Sequence, residues 1–342
     1  MATPLVPDTA PGAVTDGRAP ARQKANGTAP VRTRPAPEPV PTLDPRLAYA
    51  QGAPLHGEPV ARRTTRAVFR TVTGSAAQAS QESEALAAAI QQPVNTGRQI
   101  AVSSIRGGAG KSTVAALTGL ILAHYRNDPV VTVEADPALG TLPIRLGAES
   151  VRWTCADLAE VLDPSMRLTD VTGYLVPTDT GGWLLPGSQG MVGSSLDLAA
   201  YQTVMVALRR YFGATVVDCE TLPAEVARTA LSAAQARIVV VPATVEGLAS
   251  TRSVLAWMAA LPRSLLPGTV IALNQTTPDA TLDIDKAKDY LRVGGADVVH
   301  LPYDRHLAAG GAIRLPLLAE HSKNGAARIA AEALTRAVRS GT

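Results

Sequence analysis

Cysteine is nearly absent from this 342-residue chain. Cys155 and Cys219 lie far apart and form no C-x-x-C pair, which fits a reducing compartment and argues against a structural zinc or iron–sulfur site. Cys219 follows an apolar strand and reads as a small buried residue. Long apolar runs are also missing. No stretch reaches the ~18 apolar residues of a spanning helix, and Met1 to Gly12 lacks the charged and apolar regions of a secretory signal. The expected location is therefore the cytoplasm. Lysine is scarce too: of 32 basic residues only Lys24, Lys111, Lys286, Lys288 and Lys323 are lysine. Finally, the net charge of +3 is small and unevenly placed. Residues 1–66 hold nine basic and five acidic side chains, which leaves the remainder near −1 and argues against a strongly basic nucleic-acid-binding body.

What is present supports one large α/β domain with an appendage, given 46% apolar and 18% charged residues. Residues 1–66 carry twelve of the 26 prolines and no sustained apolar period, and they read as a disordered Pro/Ala/Arg-rich tail. Such a tail is either a solvated spacer or a docking segment for a protein partner or an anionic surface. Residues 67–97 read as a linker with a short helix from Gln78 to Gln92, ended by Pro93.

From 98 to 340 apolar strands alternate with amphipathic segments. Strands are expected near 100–104, 130–136, 172–177, 183–186, 214–219, 237–243, 269–274 and 297–301. Helices are expected near 112–125, 155–162, 196–211, 223–234, 247–261, 281–292 and 324–339. Runs such as Ile238-Val239-Val240-Val241 suit strands covered on both faces, so the fold predicted is a doubly wound, mostly parallel sheet in three α/β/α layers. Ligands of such sheets sit at the carboxyl ends of the strands.

At the end of the first of these strands stands Arg106-Gly107-Gly108-Ala109-Gly110-Lys111-Ser112-Thr113. Glycines let backbone N–H groups turn inward around phosphates, and the following helix adds its positive N-terminal end. Lys111 is placed to reach β/γ-phosphates and Ser112 to ligate Mg²⁺. The run is a variant: Ile105 occupies the position where the strict GxxxxGK(S/T) pattern has its first glycine. Three further strand ends carry suitable side chains. Glu134-Ala135-Asp136-Pro137 offers two carboxylates, one of which orients an attacking water or approaches Mg²⁺ through water, unless both merely finish a strand. Asp218 closes Ala214–Val217 as a Walker B acid, a hard oxygen ligand for the metal. Asn274 ends the strand Val270–Leu273 with a donor and an acceptor suited to an adenine edge, a turn-forming role being the alternative.

Taken together, residues 98–340 resemble the MinD/ParA group of deviant Walker A ATPases, whose loop reads Lys-Gly-Gly-x-Gly-Lys-(Ser/Thr)-Thr. Arg106 stands at the leading signature lysine. The Asp-x-Asp-Pro switch is matched by Glu134-Ala135-Asp136-Pro137, which makes Asp136 the hydrolytic carboxylate by resemblance. Asp218 matches the Walker B acid, although Cys219-Glu220-Thr221 replaces the usual Thr-Pro-Pro. Asn274 matches the adenine-contacting Asn, and Leu301-Pro302-Tyr303-Asp304 resembles the later Pro-x-Asp segment. The Pro-rich leader, Glu134 to Leu142, Val217-Asp218-Cys219 and Pro302 to Ala308 look closest to MinD-like ATPases found with actinobacterial type VII secretion.

The resemblance implies ATP and Mg²⁺ as ligands. Gly107, Gly108, Ala109, Gly110, Lys111, Ser112, Thr113 and Asn274 would hold the nucleotide, and Ser112 and Asp218 the metal. Asp136, Lys111 and Arg106 would serve hydrolysis, with Arg106 crossing a nucleotide-sandwich homodimer. The implied function is an ATP-hydrolysing molecular switch in positioning or a type VII secretion-related complex. The alternatives are a non-hydrolysing ATP-dependent scaffold, and a chromosome or plasmid partition ATPase gripping DNA through Arg209, Arg210, Arg328, Arg336 and Arg339. These arginines also read as a solvated helix face. Peripheral attachment at the inner face of the membrane would need an amphipathic C-terminal helix, but Ile329, Leu334 and Val338 are the only large apolar residues after Gly325, which favours a helix packed on the sheet.

Overall fold

A computed structural model describes residues 36–50, 52–59, 76–138, 140–191, 193–260, 265–279 and 282–340. The compact unit is Pro37–Thr342; of the tail expected over residues 1–66, residues 1–35, 51 and 60–66 lie outside the described residues. The elements run β1 (Val40–Pro41), α1 (Pro45–Ala50), α2 (Ala76–Gln91), β2 (Arg98–Ser104), α3 (Lys111–Tyr125), β3 (Val130–Ala135), α4 (Leu142–Arg145), β4 (Ser150–Val151), α5 (Cys155–Val161), α6 (Leu168–Thr172), β5 (Val176–Pro177) and β6 (Trp183–Leu185). Then come α7 (Leu198–Tyr211), β7 (Ala214–Cys219), α8 (Glu225–Ala233), β8 (Ala236–Pro242), α9 (Val245–Ala259), β9 (Thr269–Asn274), α10 (Ile284–Leu291), β10 (Asp297–Leu301), α11 (Arg305–Ala308) and α12 (Glu320–Arg339).

Eight strands form one sheet in the order β10-β9-β8-β2-β7-β3-β6-β5, parallel except for the β5–β6 pair. Successive side chains of a strand point to opposite faces. Ile100, Val102, Ile238, Val240, Val270 and Ala272 accordingly pack with α3 and α12 in one layer. Ala101, Val131, Val133 and Val217 meet α5, α7 and α8 on the other face, where Val239, Val241, Ile271 and Leu273 meet α9 and α10. Both faces are covered, which is why the central strands read as continuous β-branched runs. β2 lies between β7 and β8, so the loop after it opens at the middle of the sheet, where the strand order reverses.

The structure corrects the sequence reading in three places. Residues 172–177 were expected as a strand, yet Leu168–Thr172 is helical and only Val176–Pro177 pair, with β6. The Asp170 carboxylate accepts from the Arg167 N–H at 2.8 Å, a local bond that favours a helical turn over an extended chain. Residues 36–59 were assigned to the tail, but β1 pairs antiparallel with β4, and Gly57 and Glu58 are buried. A two-residue edge strand tolerates Pro41 because no further strand needs its missing donor. The helix read within the linker is a packed element of the body. Its Ile90 is fully buried, Leu86 joins the α3/α12 layer, and the Arg126 guanidinium donates to the carbonyls of Ile90 (2.5 Å) and Gln92 (3.1 Å).

α12 lies on the sheet with Ile329, Ala330, Leu334 and Ala337 buried. Among the described residues no helix is long and apolar enough to cross a membrane.

Candidate nucleotide site

Lys111 opens α3, and the backbone before it explains its aim. Gly108 and Gly110 adopt φ of 76° and 90°, the left-handed region that side chains resist. At Gly110 a Cβ would also overlap Asn274 Nδ2, so any other residue there must displace that side chain. The turn directs the Lys111 side chain, 10% exposed, between two carboxylates: Nζ is 3.1 Å from Asp136 Oδ2 and 3.2 Å from Asp218 Oδ1. These carboxylates come from the ends of β3 and β7, the strands next to β2 on one side. Burial works against the ammonium charge, but Asp218 and Asp136 outweigh it and hold the Lys111 pKa above its ordinary value.

Asp218 is fully buried, and its second oxygen has no hydrogen-bond partner. An orphaned buried carboxylate oxygen is costly unless a ligand or cation completes it. Ser112, in the first turn of α3, lies close enough to stabilise the same carboxylate. This donor set, one hydroxyl and one carboxylate oxygen, suits Mg²⁺, which keeps waters and takes its other oxygens from phosphates. Among the described residues no group of three or more His, Cys, Asp or Glu could hold a metal by itself. Gly107 and Gly108 are exposed, and space is open where a Cβ would project from either. Ala109 and Thr113 are buried.

Two expected site residues take partners that their motifs did not reveal. Asn274 is buried, and its Nδ2 donates to the Ala109 carbonyl at 2.8 Å, so its amide group braces the loop. Arg106 meets Glu246, in the first turn of α9, at 3.0 Å with both side chains exposed. Glu246 was not anticipated: it lies 140 residues away and has no motif of its own.

Glu134 is also placed differently from its neighbour Asp136. It is 2% exposed and accepts from the N–H groups of Leu142 (3.2 Å) and Gly187 (3.0 Å). It thereby ties the loop after β3 to the loop after β6. Burial lifts its carboxyl from 4.5 to about 7, the two backbone donors opposing the rise. The arginines considered for DNA are partly engaged: Arg336 pairs with Asp297 and Glu332, Arg328 lies 3.9 Å from Glu82, and Arg210 donates to the Pro164 carbonyl. Both cysteines are buried and free, with the Cys155 thiol pushed up to about 12.

No family model matches the chain. It is 28% identical over 227 residues to the ESX-1 secretion-associated protein EspI of Mycobacterium tuberculosis, a match that covers 64% of this chain. The chain spans about a third of that relative's length, 34%. Among solved structures, a ParA family ATPase from Chlorobium tepidum is similar with a TM-score of 0.52 and 16% identity, over 71% of this chain and 98% of that one. The septum site-determining protein MinD of Pyrococcus horikoshii, complexed with Mg-ADP, gives 0.52 and 20% identity over 68% and 94%. The mostly parallel eight-stranded sheet, its flanking helices and the loop after β2 thus make the P-loop fold of the MinD and ParA ATPases the fold of this chain.

Proposed function

We propose that the chain is an ATP-binding, Mg²⁺-dependent ATPase that acts as a dimerising switch. One observation carries the reading: Lys111 projects from a left-handed glycine turn to meet, within 3.2 Å, acids from the ends of β3 and β7. The ammonium is held by two carboxylates, and a triphosphate would offer it a stronger anion. Its departure frees Asp218 for a cation beside Ser112, and Asp136, 23% exposed, to orient a water. The cation would neutralise charge on the phosphates, while the chain's own groups hold and align them. The base would extend toward the β9 and β10 ends, past Asn274. The similarity to a MinD solved with Mg-ADP supports the ligand pair.

For the dimer, Arg106 is the group available to a second copy. Its pair with Glu246 is exposed, and such pairs contribute only ~0–1 kcal/mol, so a partner's phosphate can compete for it. The likeness to a secretion-associated protein supports service to a secretion-related complex, the type VII context that the leader and switch motifs resemble. Asp136→Ala tests the switch. ATP binding is expected to persist while turnover falls about 10²-fold or more, as for loss of a water-orienting group; undiminished phosphate release would remove Asp136 from its role.

A further inference from the structure

The leader, read from sequence as a tail, returns to the body beside the ends of β9 and β10. Gly57 N donates to the Leu317 carbonyl at 2.8 Å, and Arg305 N donates to the Gly57 carbonyl at 3.2 Å. His306 accepts from Arg314 N at Nε2 (3.0 Å), which leaves Nδ1 as the protonated nitrogen that donates to the Leu55 carbonyl, also at 3.0 Å. The fit is close. A Cβ on Gly57 would overlap both the Asp304 carboxylate and the Ala319 nitrogen. Asp304 is itself 2% exposed and fully used, accepting from His306 N, Leu307 N and Ala319 N. Glu58 follows, buried, with Oε1 2.9 Å from His321 Nδ1 at the start of α12.

This segment walls a pocket of about 330 Å³ whose other side is Gln275, Pro278, Pro302 and Tyr303. Gln275 directly follows Asn274, the residue that holds the phosphate loop, and its N–H donates to the Leu301 carbonyl at 2.9 Å, which joins the β9 and β10 ends. Strands in a sheet lie 4.7–4.9 Å apart, so the β9 and β10 ends stand about 10 and 14 Å from β2, within reach of a nucleoside extended from phosphates on its loop. The metal and water-orienting acids lie on the opposite side of Lys111, toward β7 and β3. Proline faces and a tyrosine ring suit a flat heterocycle, and the volume lies in the range of ligand pockets.

We infer that Gly57, Glu58 and Pro59 form the outer wall of the nucleoside pocket, so that this chain's own leader sets how tightly the base and ribose are held. The inference rests on the ATP-binding reading above. The wall touches only the nucleoside, so inorganic tripolyphosphate with Mg²⁺ reports the phosphate loop alone.

The test titrates ATP and tripolyphosphate, each with Mg²⁺, into the full-length protein, its Gly57→Ala variant and its Glu58→Ala variant. Expelling the wall should weaken ATP about tenfold or more and leave tripolyphosphate affinity unchanged in both variants. Unchanged ATP affinity in a folded variant overturns the inference and leaves the phosphate site standing. So does equal weakening of both ligands in both variants, which would show a general loosening of the fold. Should Gly57→Ala not fold, Glu58→Ala decides by the same two affinities. If the wild type binds neither ligand, the ATP reading falls and the inference with it.

Discussion

Glu134 and Asp136 stand two residues apart and do different work because their surroundings differ. Asp136 is partly open and meets the Lys111 ammonium, whereas Glu134 is sealed between two loops and meets only backbone donors. Since burial raises its carboxyl from 4.5 to about 7, the folded chain binds this proton more tightly than the unfolded chain. The stability this group contributes is complete below pH 4.5 and is lost as pH rises to about 7. Wild-type protein should therefore lose roughly 3 kcal/mol relative to Glu134→Gln across that interval, measured by urea unfolding at successive pH values. Parallel pH profiles for the two proteins would contradict the assignment. At this scale the structure brings Lys111 together with Asp136 and Asp218, and Ser112 with Asp218, a grouping the sequence suggests because each stands at a strand end or at the helix start beside the glycine loop. The brace made by Glu134 was not legible there, because its donors are backbone groups that carry no residue signature.

At the scale of elements, the phosphate loop is fastened at both ends. Lys111 draws its far end toward β3 and β7, and Asn274 at the end of β9 grips the Ala109 carbonyl. Gly110 sits where these pulls meet, with φ of 90° and Asn274 against it. Gly110→Ala should strain the backbone and push Asn274 off the loop, at a cost of about 1–3 kcal/mol. Thermal unfolding should show the loss, with a fall in ATP affinity in calorimetry; a variant matching wild type in both would show that the loop tolerates a side chain there. The long strands and helices were legible because apolar periodicity and β-branched runs report burial directly. β1, β4, α4 and α11 were not: they span two to four residues, too short for a period, and depend on contacts distant in sequence, such as Val40 with Val151.

Across the whole molecule, the leader carries the largest revision. Its prolines and charge read as solvated chain, yet residues 36–59 contribute an edge strand and a wall beside the candidate base pocket. Composition misleads there because a few backbone hydrogen bonds, from Gly57 to Leu317 and from Arg305 to Gly57, hold a segment with little apolar surface of its own. The C-terminal helix goes the other way. Its sparse large apolar residues suffice because Ala326, Ala330, Ala333 and Ala337 let it approach the sheet closely, a packing face rather than a membrane-facing one. The sheet, the fastened loop and the leader converge on one place, the carboxyl ends of β2, β7, β3, β9 and β10, where the proposed function has a nucleoside triphosphate with Mg²⁺ bind through Lys111. Calorimetric titration of ATP with Mg²⁺ into folded wild-type protein and Lys111→Ala tests it most directly: one ATP per chain for the wild type and no detectable binding for the variant are predicted. No binding to wild-type protein, or equal affinity in the two, would show that Lys111 holds no triphosphate here.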